Sequence, residues 1–263
     1  RINNVNTGKI IDAQVPVVGN RAAVNGDTHI AGVPSPGARI DLDFKSPVGS
    51  VTGKILPTGN LKDKVKLKDG REIEVSVVDA ANPTVFVKAS SINMTGLELP
   101  DFIEASPEIL ATVEEIRSNV AVWMGLTGRA ELAASETPGL PKIGIMSAAV
   151  DYQTSAGLQI KKSEVDLVVR MFSIRSPHKA CQITAGICTG VASLLPGTVV
   201  SDLMDLKVSE TGGTQVRLGH PSGIMQVVVH HLDGNPEEVS KVAVVRTARA
   251  ILDGVVHVPS ELF

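Results

Sequence analysis

Aromatic residues and cysteine are scarce in this sequence. Only 3% of its 263 residues are Phe, Trp or Tyr, so Val, Ile, Leu and Ala must fill the interior, as in sheets covered by helices of small residues. The two cysteines, Cys181 and Cys188, lie in one segment with a helical pattern. Their spacing corresponds to about 10 Å along a helix, which is too far for a disulfide. We therefore expect reduced, buried thiols.

An excess of charge of either sign is also missing. The formal net charge is -3, and no run of Lys or Arg is longer than Lys161-Lys162, so the sequence has no electrostatic footprint for nucleic acid or an anionic membrane. No stretch reaches the roughly 18 apolar residues of a membrane helix, and no signal-peptide pattern opens the sequence. These absences predict no nucleic-acid partner, no membrane partner and a cytoplasmic location.

Metal and cofactor signatures are absent as well. His230 and His231 are neighbours that would point to opposite faces of a strand, and no Cys or acidic residue lies at ligand spacing from them. No Gly-x-x-x-x-Gly-Lys phosphate loop occurs, and Gly212-Gly213-Thr214 has the composition of an ordinary loop. The sequence predicts neither a metal site nor a bound cofactor.

Strand patterns dominate what is present. Apolar residues make up 43% of the sequence and charged residues 20%, enough to bury a large core in one or two globular domains. Residues 9–15 and the alternating residues 38–44 have strand patterns. Asp69-Gly70 separates residues 65–68 from residues 72–77, which is the signature of a tight two-residue hairpin.

Two helices are predicted among these strands. Ser106-Pro107-Glu108 provides an N-cap, a proline at the first helical position and an early acidic residue. The apolar stripe that follows consists of Ile109, Val113, Ile116, Val120 and Trp123. Residues 178–195 are apolar or small on every side up to Pro196-Gly197, which predicts a helix buried all round. Strand patterns return at residues 242–248 and 254–258, so the whole order is typical of the α+β class.

Six blocks of the sequence resemble one known enzyme family. In chain order they are residues 1–8 (RINNVNTG), 56–60 (LPTGN), 81–84 (ANPT), 170–180, 219–223 (GHPSG) and 245–249 (VRTAR). Their order and spacing are similar to those of the family that includes 2-methylaconitate cis-trans isomerase, 3-methylitaconate isomerase and 4-oxalomesaconate tautomerase. The resemblance spans almost the whole chain.

This resemblance implies an α+β fold of the diaminopimelate-epimerase type, in which a curved, mostly antiparallel sheet wraps around a central helix. Residues 178–195 would be that helix in the second of two similar domains, with its amino end at the active-site cleft. We accordingly expect residues 1–45 to be a remnant of the amino-terminal epimerase-like domain and residues 46–250 to form the carboxy-terminal one. Residues 251–263 would be a strand or tail that returns toward the amino-terminal domain.

The resemblance also implies a cofactor-independent isomerase of unsaturated di- or tricarboxylic acids such as 4-oxalomesaconate or 2-methylaconitate. The reaction would be an allylic proton shift, a cis-trans isomerisation or a keto-enol tautomerisation. The family's catalytic lysine and its Asn-Cys-Gly-Asn motif have no counterpart in this sequence. No catalytic residue is therefore assigned, and both groups are expected in an amino-terminal part that the sequence does not contain. The partner would be a small polycarboxylate, and a homodimer stays open.

Several residues are candidates for substrate binding. Ser176 and His178 are candidates at the predicted start of the buried helix, where the imidazole of His178 would donate to a substrate carboxylate. Alternatively His178 only caps or packs at the helix end. In the Gly-His-Pro-Ser-Gly block, Gly223 lets backbone amides approach a ligand, and Ser222 offers a hydroxyl beside His220. The alternative there is a plain turn between strands.

Asn82 and Thr58 are further candidates. Asn82 precedes a proline at the head of a strand, similar to the Asn-Pro element by which diaminopimelate epimerases bind substrate. Thr58 lies in a polar loop that would face the cleft; the alternative is a plain turn. Cys181 would suit an alternative function, an amino-acid epimerase of the same fold, although buried packing is the more frequent role of a free cysteine. A second alternative is a non-catalytic binding or accessory module that lacks the catalytic Lys and Cys.

Overall fold

The computed structural model describes residues 1–205, 209, 212–232 and 235–259. Its strands are β1 Ile2–Asn4, β2 Lys9–Gln14, β3 Val17–Val18, β4 Arg21–Ala22, β5 Ala38–Lys45, β6 Asp63–Lys66, β7 Glu72–Ala80, β8 Asn82–Lys88, β9 Lys142–Ala148, β10 Tyr152–Gln153, β11 Gln159–Ile160, β12 Leu167–Ser173, β13 Ser176–Pro177, β14 Thr214–His220, β15 Gly223–Leu232 and β16 Asn235–Ala248. The helices are α1 Pro100–Glu104, α2 Pro107–Trp123, α3 Ala133–Glu136 and α4 Ile183–Ser193, with short 3-10 turns at Ala89–Ile92, Ala130–Leu132, Lys162–Glu164 and Ser201–Leu203.

Twelve strands of the described residues form one sheet. Its order is β1-β2-β5-β16-β15-β14-β12-β9-β8-β7-β6, and β13 pairs with β12 beside this path. Neighbours are antiparallel except for the parallel pairs β8–β9 and β12–β14. Two small hairpins, β3–β4 and β10–β11, stand apart from the sheet. The predicted strands at residues 9–15 and 38–44 and the hairpin around Asp69-Gly70 are confirmed.

The sheet curves around α4. Strands far apart in the sheet order reach this helix from different sides: Cys188 Sγ donates to the carbonyl of Val78 in β7 at 3.2 Å, and α4 also packs on β15. At Gly190 a Cβ atom would lie only 2.7 Å from Val227 of β15, so only glycine permits this approach. The expected α+β architecture, a curved and mostly antiparallel sheet around a buried central helix, is confirmed.

The central helix is shorter than the sequence pattern predicts. It begins at Ile183 rather than at His178, because the segment before it forms other hydrogen bonds. The amide of His178 donates to the carbonyl of Met171 in β12 at 2.7 Å, which continues the β12–β13 pairing. Gln182 is the N-cap residue and has an extended backbone. Cys181, which was also predicted to be helical, therefore lies just before the helix.

The second predicted strand of the carboxy-terminal region does not form. Residues 254–258 pair with no strand in the described part of the chain, and Val255 and Val256 are both 84% exposed. Alternation of apolar residues marks a strand only where a neighbouring strand supplies its hydrogen bonds. Residues 260–263 of the predicted tail lie outside the described residues.

Helix α2 packs on the face of the sheet opposite α4. Ile116 and Val120 are fully buried there against β6 to β9. Trp123 was predicted to share the buried stripe but is 41% exposed at the end of the helix. Ser106 is the N-cap residue as predicted, yet its hydroxyl donates to the carbonyl of Phe102 in α1 instead of capping α2. Among the described residues, no helix combines the length and apolar character needed to span a membrane.

Candidate functional site

A cavity of about 750 Å³ lies beside the segment that leads into α4. Its walls come from the loop at residues 28–33, from His178, Ala180 and Cys181, and from the strands β5, β14, β15 and β16. Among the side chains that line it are His178, His220 and Arg246. Two of these three were predicted as substrate-binding residues, and the fold brings them together although 42 positions separate them in the sequence.

Both histidines are oriented by the same local hydrogen bond. His178 Nδ1 accepts from the amide of Ala180 at 3.0 Å, and His220 Nδ1 accepts from the amide of Ser222 at 3.1 Å. A neutral imidazole that accepts at Nδ1 carries its proton on Nε2. Each neutral ring therefore has an N–H donor left for a ligand.

Burial keeps His220 neutral. The residue is 3% exposed, and desolvation, together with the positive charges of Arg170 and Arg246 and the nearby His178, lowers the pKa of His220 to about 4. Near neutral pH it is thus an uncharged donor at Nε2.

Arg246 is the arginine of this cavity that has no partner among the described residues. Two other arginines of the lining are neutralised by carboxylates, because Arg39 pairs with Asp41 at 2.7 Å and Arg217 pairs with Asp166 at 2.6 Å. Within the described part of the chain, Arg246 makes no hydrogen bond or ion pair. An unpaired guanidinium that lines a cavity is suited to a carboxylate. Sequence reasoning did not assign Arg246 a role, although its VRTAR block was among those that carry the resemblance.

The predicted loop containing Ser222 is a tight turn between β14 and β15. On one side of the turn, the hydroxyl of Tyr152 donates to the carbonyl of Gly223. On the other side, the loop at residues 28–33 packs so closely that a Cβ at Gly32 would lie 2.8 Å from Ser222. Gly223 has φ +138, and a Cβ there would lie 2.7 Å from Ala31. The hydroxyl of Ser222 donates to the carbonyl of Lys179. Ser222 and Gly223 are not among the residues that line the cavity; they shape the turn that carries His220.

The three remaining predicted binding residues also lie outside this cavity. Thr58, in the loop before β6, donates to Asp63 at the start of that strand at 2.6 Å. Ser176 is exposed in the short strand β13. Asn82 begins β8, and its buried Oδ1 has no hydrogen-bond partner among the described residues. The fold does not gather these three with His178 and His220.

Cys181 lines the cavity, but its chemistry is that of a core thiol. Both cysteines are free and buried, and burial raises the pKa of Cys181 and of Cys188 to about 12. A thiol with such a pKa does not ionise near neutral pH and is a poor proton acceptor. In the described ranges, no three His, Cys, Asp or Glu side chains cluster closely enough to hold a metal ion.

Comparison with known proteins identifies the family. The profile of the family described as PrpF protein matches residues 1–259 of the chain. The chain belongs to the PrpF family. Its sequence is 41% identical over 259 residues to 3-methylitaconate isomerase of Eubacterium barkeri and 34% identical over 265 residues to 2-methyl-aconitate isomerase of Shewanella oneidensis, each match covering 98% of this chain. The chain spans about two thirds of the length of these relatives, 66% and 65% respectively.

A solved structure agrees with the assignment to the PrpF family. The crystal structure of methylitaconate-delta-isomerase superposes with a TM-score of 0.83 at 40% identity, covering 97% of this chain and 64% of that one. The expected diaminopimelate-epimerase-like fold is confirmed by this likeness and by the sheet that wraps α4.

Proposed function

We propose that this PrpF-family chain is part of a cofactor-independent isomerase of unsaturated di- or tricarboxylic acids. The observation that carries the proposal is the cavity beside α4, where Arg246, which has no partner in the described ranges, lies with two imidazole donors, His178 and His220. The similarity to proteins named methylitaconate and methylaconitate isomerases supports the same class of substrate.

The reaction of such acids explains why the cavity needs donors. Removal of a proton from carbon next to an unsaturated acceptor gives a dienolate, and negative charge then accumulates on oxygen. Preorganised donors stabilise such charge better than water does. In our proposal, Arg246 pairs with a substrate carboxylate, and the Nε2–H groups of His178 and His220 donate to a carboxylate or to the developing oxyanion.

Proton transfer itself is assigned to no residue of this chain. The resemblance attributes it to a lysine and a cysteine in motifs that this sequence does not contain. Our proposal therefore gives the present residues a binding and orienting role.

An amino-acid epimerase of the same fold is not favoured. That reaction would require a reactive thiol from this domain, and the buried Cys181, with its pKa raised to about 12, does not meet the requirement. The isomerase names of the similar proteins point the same way. A homodimer and a cytoplasmic location stay predictions from the sequence.

Solvent exchange tests the proposed reaction. The enzyme, expressed from its complete reading frame, is incubated in D₂O with 2-methylaconitate, methylitaconate or 4-oxalomesaconate, and deuterium in the acid is followed by NMR. We expect isomerisation of at least one of these acids with deuterium incorporated at the allylic carbon. Absence of both isomerisation and exchange for all such acids would overturn the proposal.

A further inference from the structure

We propose that Tyr152, whose ring packs on the guanidinium of Arg170, is a positioning residue. It fixes the turn between β14 and β15 and thereby the imidazole of His220. The proposal concerns the geometry of the free protein. Only its meaning for catalysis rests on the proposed function.

The small hairpin β10–β11 contacts the turn between β14 and β15 through three hydrogen bonds. The hydroxyl of Tyr152 lies 2.6 Å from the carbonyl of Gly223 and 3.2 Å from that of His220. The amide of Ser155 donates to the carbonyl of Pro221 at 2.8 Å. Because a hydroxyl has one proton, the shorter contact is the stronger bond and the longer one shares it. One hairpin thus holds the carbonyls of His220, Pro221 and Gly223.

The buried side chain of Arg170 packs against the ring of Tyr152. This arginine side chain is among the largest that are fully buried, at 1% exposure. Nε donates to the carbonyl of Glu98 at 2.6 Å and Nη1 donates to that of Val169 at 3.0 Å. Its guanidinium carbon lies 5.7 Å from the centre of the Tyr152 ring, within the range of a cation–π contact. Among the described residues, no carboxylate lies within ion-pair distance of Arg170, and its buried Nη2 has no hydrogen-bond partner. The aromatic face, two carbonyls and the negative charge of Glu98 stabilise this buried cation.

The sequence of β14 provides the space for this arrangement. A Cβ at Gly219 would lie 2.9 Å from a ring carbon of Tyr152. The ring therefore lies against the strand, in space that a side chain at position 219 would occupy. The protein has a single tyrosine, and its hydroxyl is aimed at the turn.

The turn connects Tyr152 to the cavity through two hydrogen bonds of Ser222. Ser222 donates its amide to His220 Nδ1 and its hydroxyl to the carbonyl of Lys179. The first bond selects the tautomer of His220, and the second joins the turn to the segment before α4. Without the hydroxyl of Tyr152 the turn loses two of its three hydrogen bonds to the hairpin. Water then gains access to His220, and the cost of charging that imidazole falls.

Titration of His220 in the ligand-free protein tests this role. Tyr152→Phe removes only the hydroxyl and keeps the ring over Arg170. We expect the pKa of His220, followed by NMR and assigned with a His220→Gln variant, to rise by about one unit from its depressed value. Gln153→Ala, which removes a hydrogen bond within the same hairpin but none to the turn, is the matched control and should leave the titration unchanged.

A second variant covers the case in which Tyr152→Phe does not fold. Gly219→Ala would push the ring off the strand and should raise the pKa of His220 in the same direction. An unchanged pKa of His220 in a folded Tyr152→Phe or Gly219→Ala variant would overturn the proposal. An enzyme that isomerises none of the acids would contradict the proposed function and leave this titration result intact, so the two failures are distinguishable.

Discussion

The hydroxyl of Ser222 donates a hydrogen bond to the backbone carbonyl of Lys179, 43 residues earlier in the chain. The bond joins the turn between β14 and β15 to the segment that leads into α4. Ser222 was predicted to offer its hydroxyl to the substrate, and the structure uses the hydroxyl proton inside the protein. Because this bond joins the turn that carries His220 to the segment that carries His178, the main contribution of Ser222 to the site is to hold these two segments together.

Ser222→Ala should therefore reduce stability even without substrate. Loss of this hydrogen bond leaves the carbonyl of Lys179 without that partner, and we expect the free energy of unfolding to fall by about 1 kcal/mol. Urea denaturation followed by circular dichroism measures the change. Ser176→Ala is the matched control, because Ser176 is exposed, and it should stay within about 0.5 kcal/mol of the parent protein. Equal losses in the two variants would contradict this role.

Gly190→Ala tests whether the sheet contacts the central helix directly. The added methyl would lie 2.7 Å from Val227 and 3.2 Å from Val229 of β15. Separating the helix from the strand should cost about 1–3 kcal/mol of unfolding free energy. At Gly139 a Cβ would meet nothing within 4 Å, so Gly139→Ala should have little effect. A Gly190→Ala protein as stable as the Gly139→Ala protein would show that α4 is not packed as described.

Stability should depend on pH through His220. Its pKa is about 4 in the folded protein and about 6.5 in an unfolded chain. Between these values the unfolded state binds a proton that the folded state does not bind. The free energy of unfolding should therefore fall as pH decreases from about 6.5 to about 4, by about 3 kcal/mol at most.

Urea denaturation at a series of pH values measures this contribution. The His220→Gln variant is the control and should lose most of the dependence in this window. His230, whose pKa burial also lowers, accounts for part of the remainder. A variant with the same pH profile as the parent protein would contradict the assignment to His220.

The two thiols should be unreactive in the native protein. Burial raises the pKa of Cys181 and of Cys188 to about 12, so neither thiolate is populated at pH 8. With Ellman's reagent we expect no rapid reaction in the native state and two thiols after denaturation in urea. Fast native labelling, lost in Cys181→Ala, would instead reveal an accessible thiol at the cavity and revive the epimerase alternative.

The sequence predicted the central helix but not where it begins. Apolar and small residues on every side identify a buried helix. The starting residue depends on a long-range hydrogen bond, because the amide of His178 pairs with the carbonyl of Met171. Likewise, residues 254–258 have the composition of a strand, yet composition does not reveal whether a partner strand is present.

The sequence predicted only part of the site, because the other part depends on contacts between residues far apart in the chain. His178 and His220 could be chosen because imidazoles beside a predicted helix end and in a glycine-rich turn are suited to anions. Arg246 alternates in phase with the core residues Val242 and Val244 on β16, and nothing in a sequence distinguishes a paired arginine from an unpaired one. The roles of Tyr152 and Arg170 depend on a stacking contact between residues on separate elements.

Binding of a tricarboxylate tests the central claim most directly. Tricarballylate is saturated and cannot isomerise, so calorimetric titration of the enzyme from its complete reading frame measures binding alone. Because a charge-assisted bond contributes about 1.5–3 kcal/mol, Arg246→Gln should weaken binding by at least about tenfold, whereas Arg21→Gln, the same substitution on the exposed strand β4, should leave the Kd unchanged. Equal affinities of the parent protein and Arg246→Gln would contradict the claim that this cavity binds polycarboxylates through its unpaired arginine.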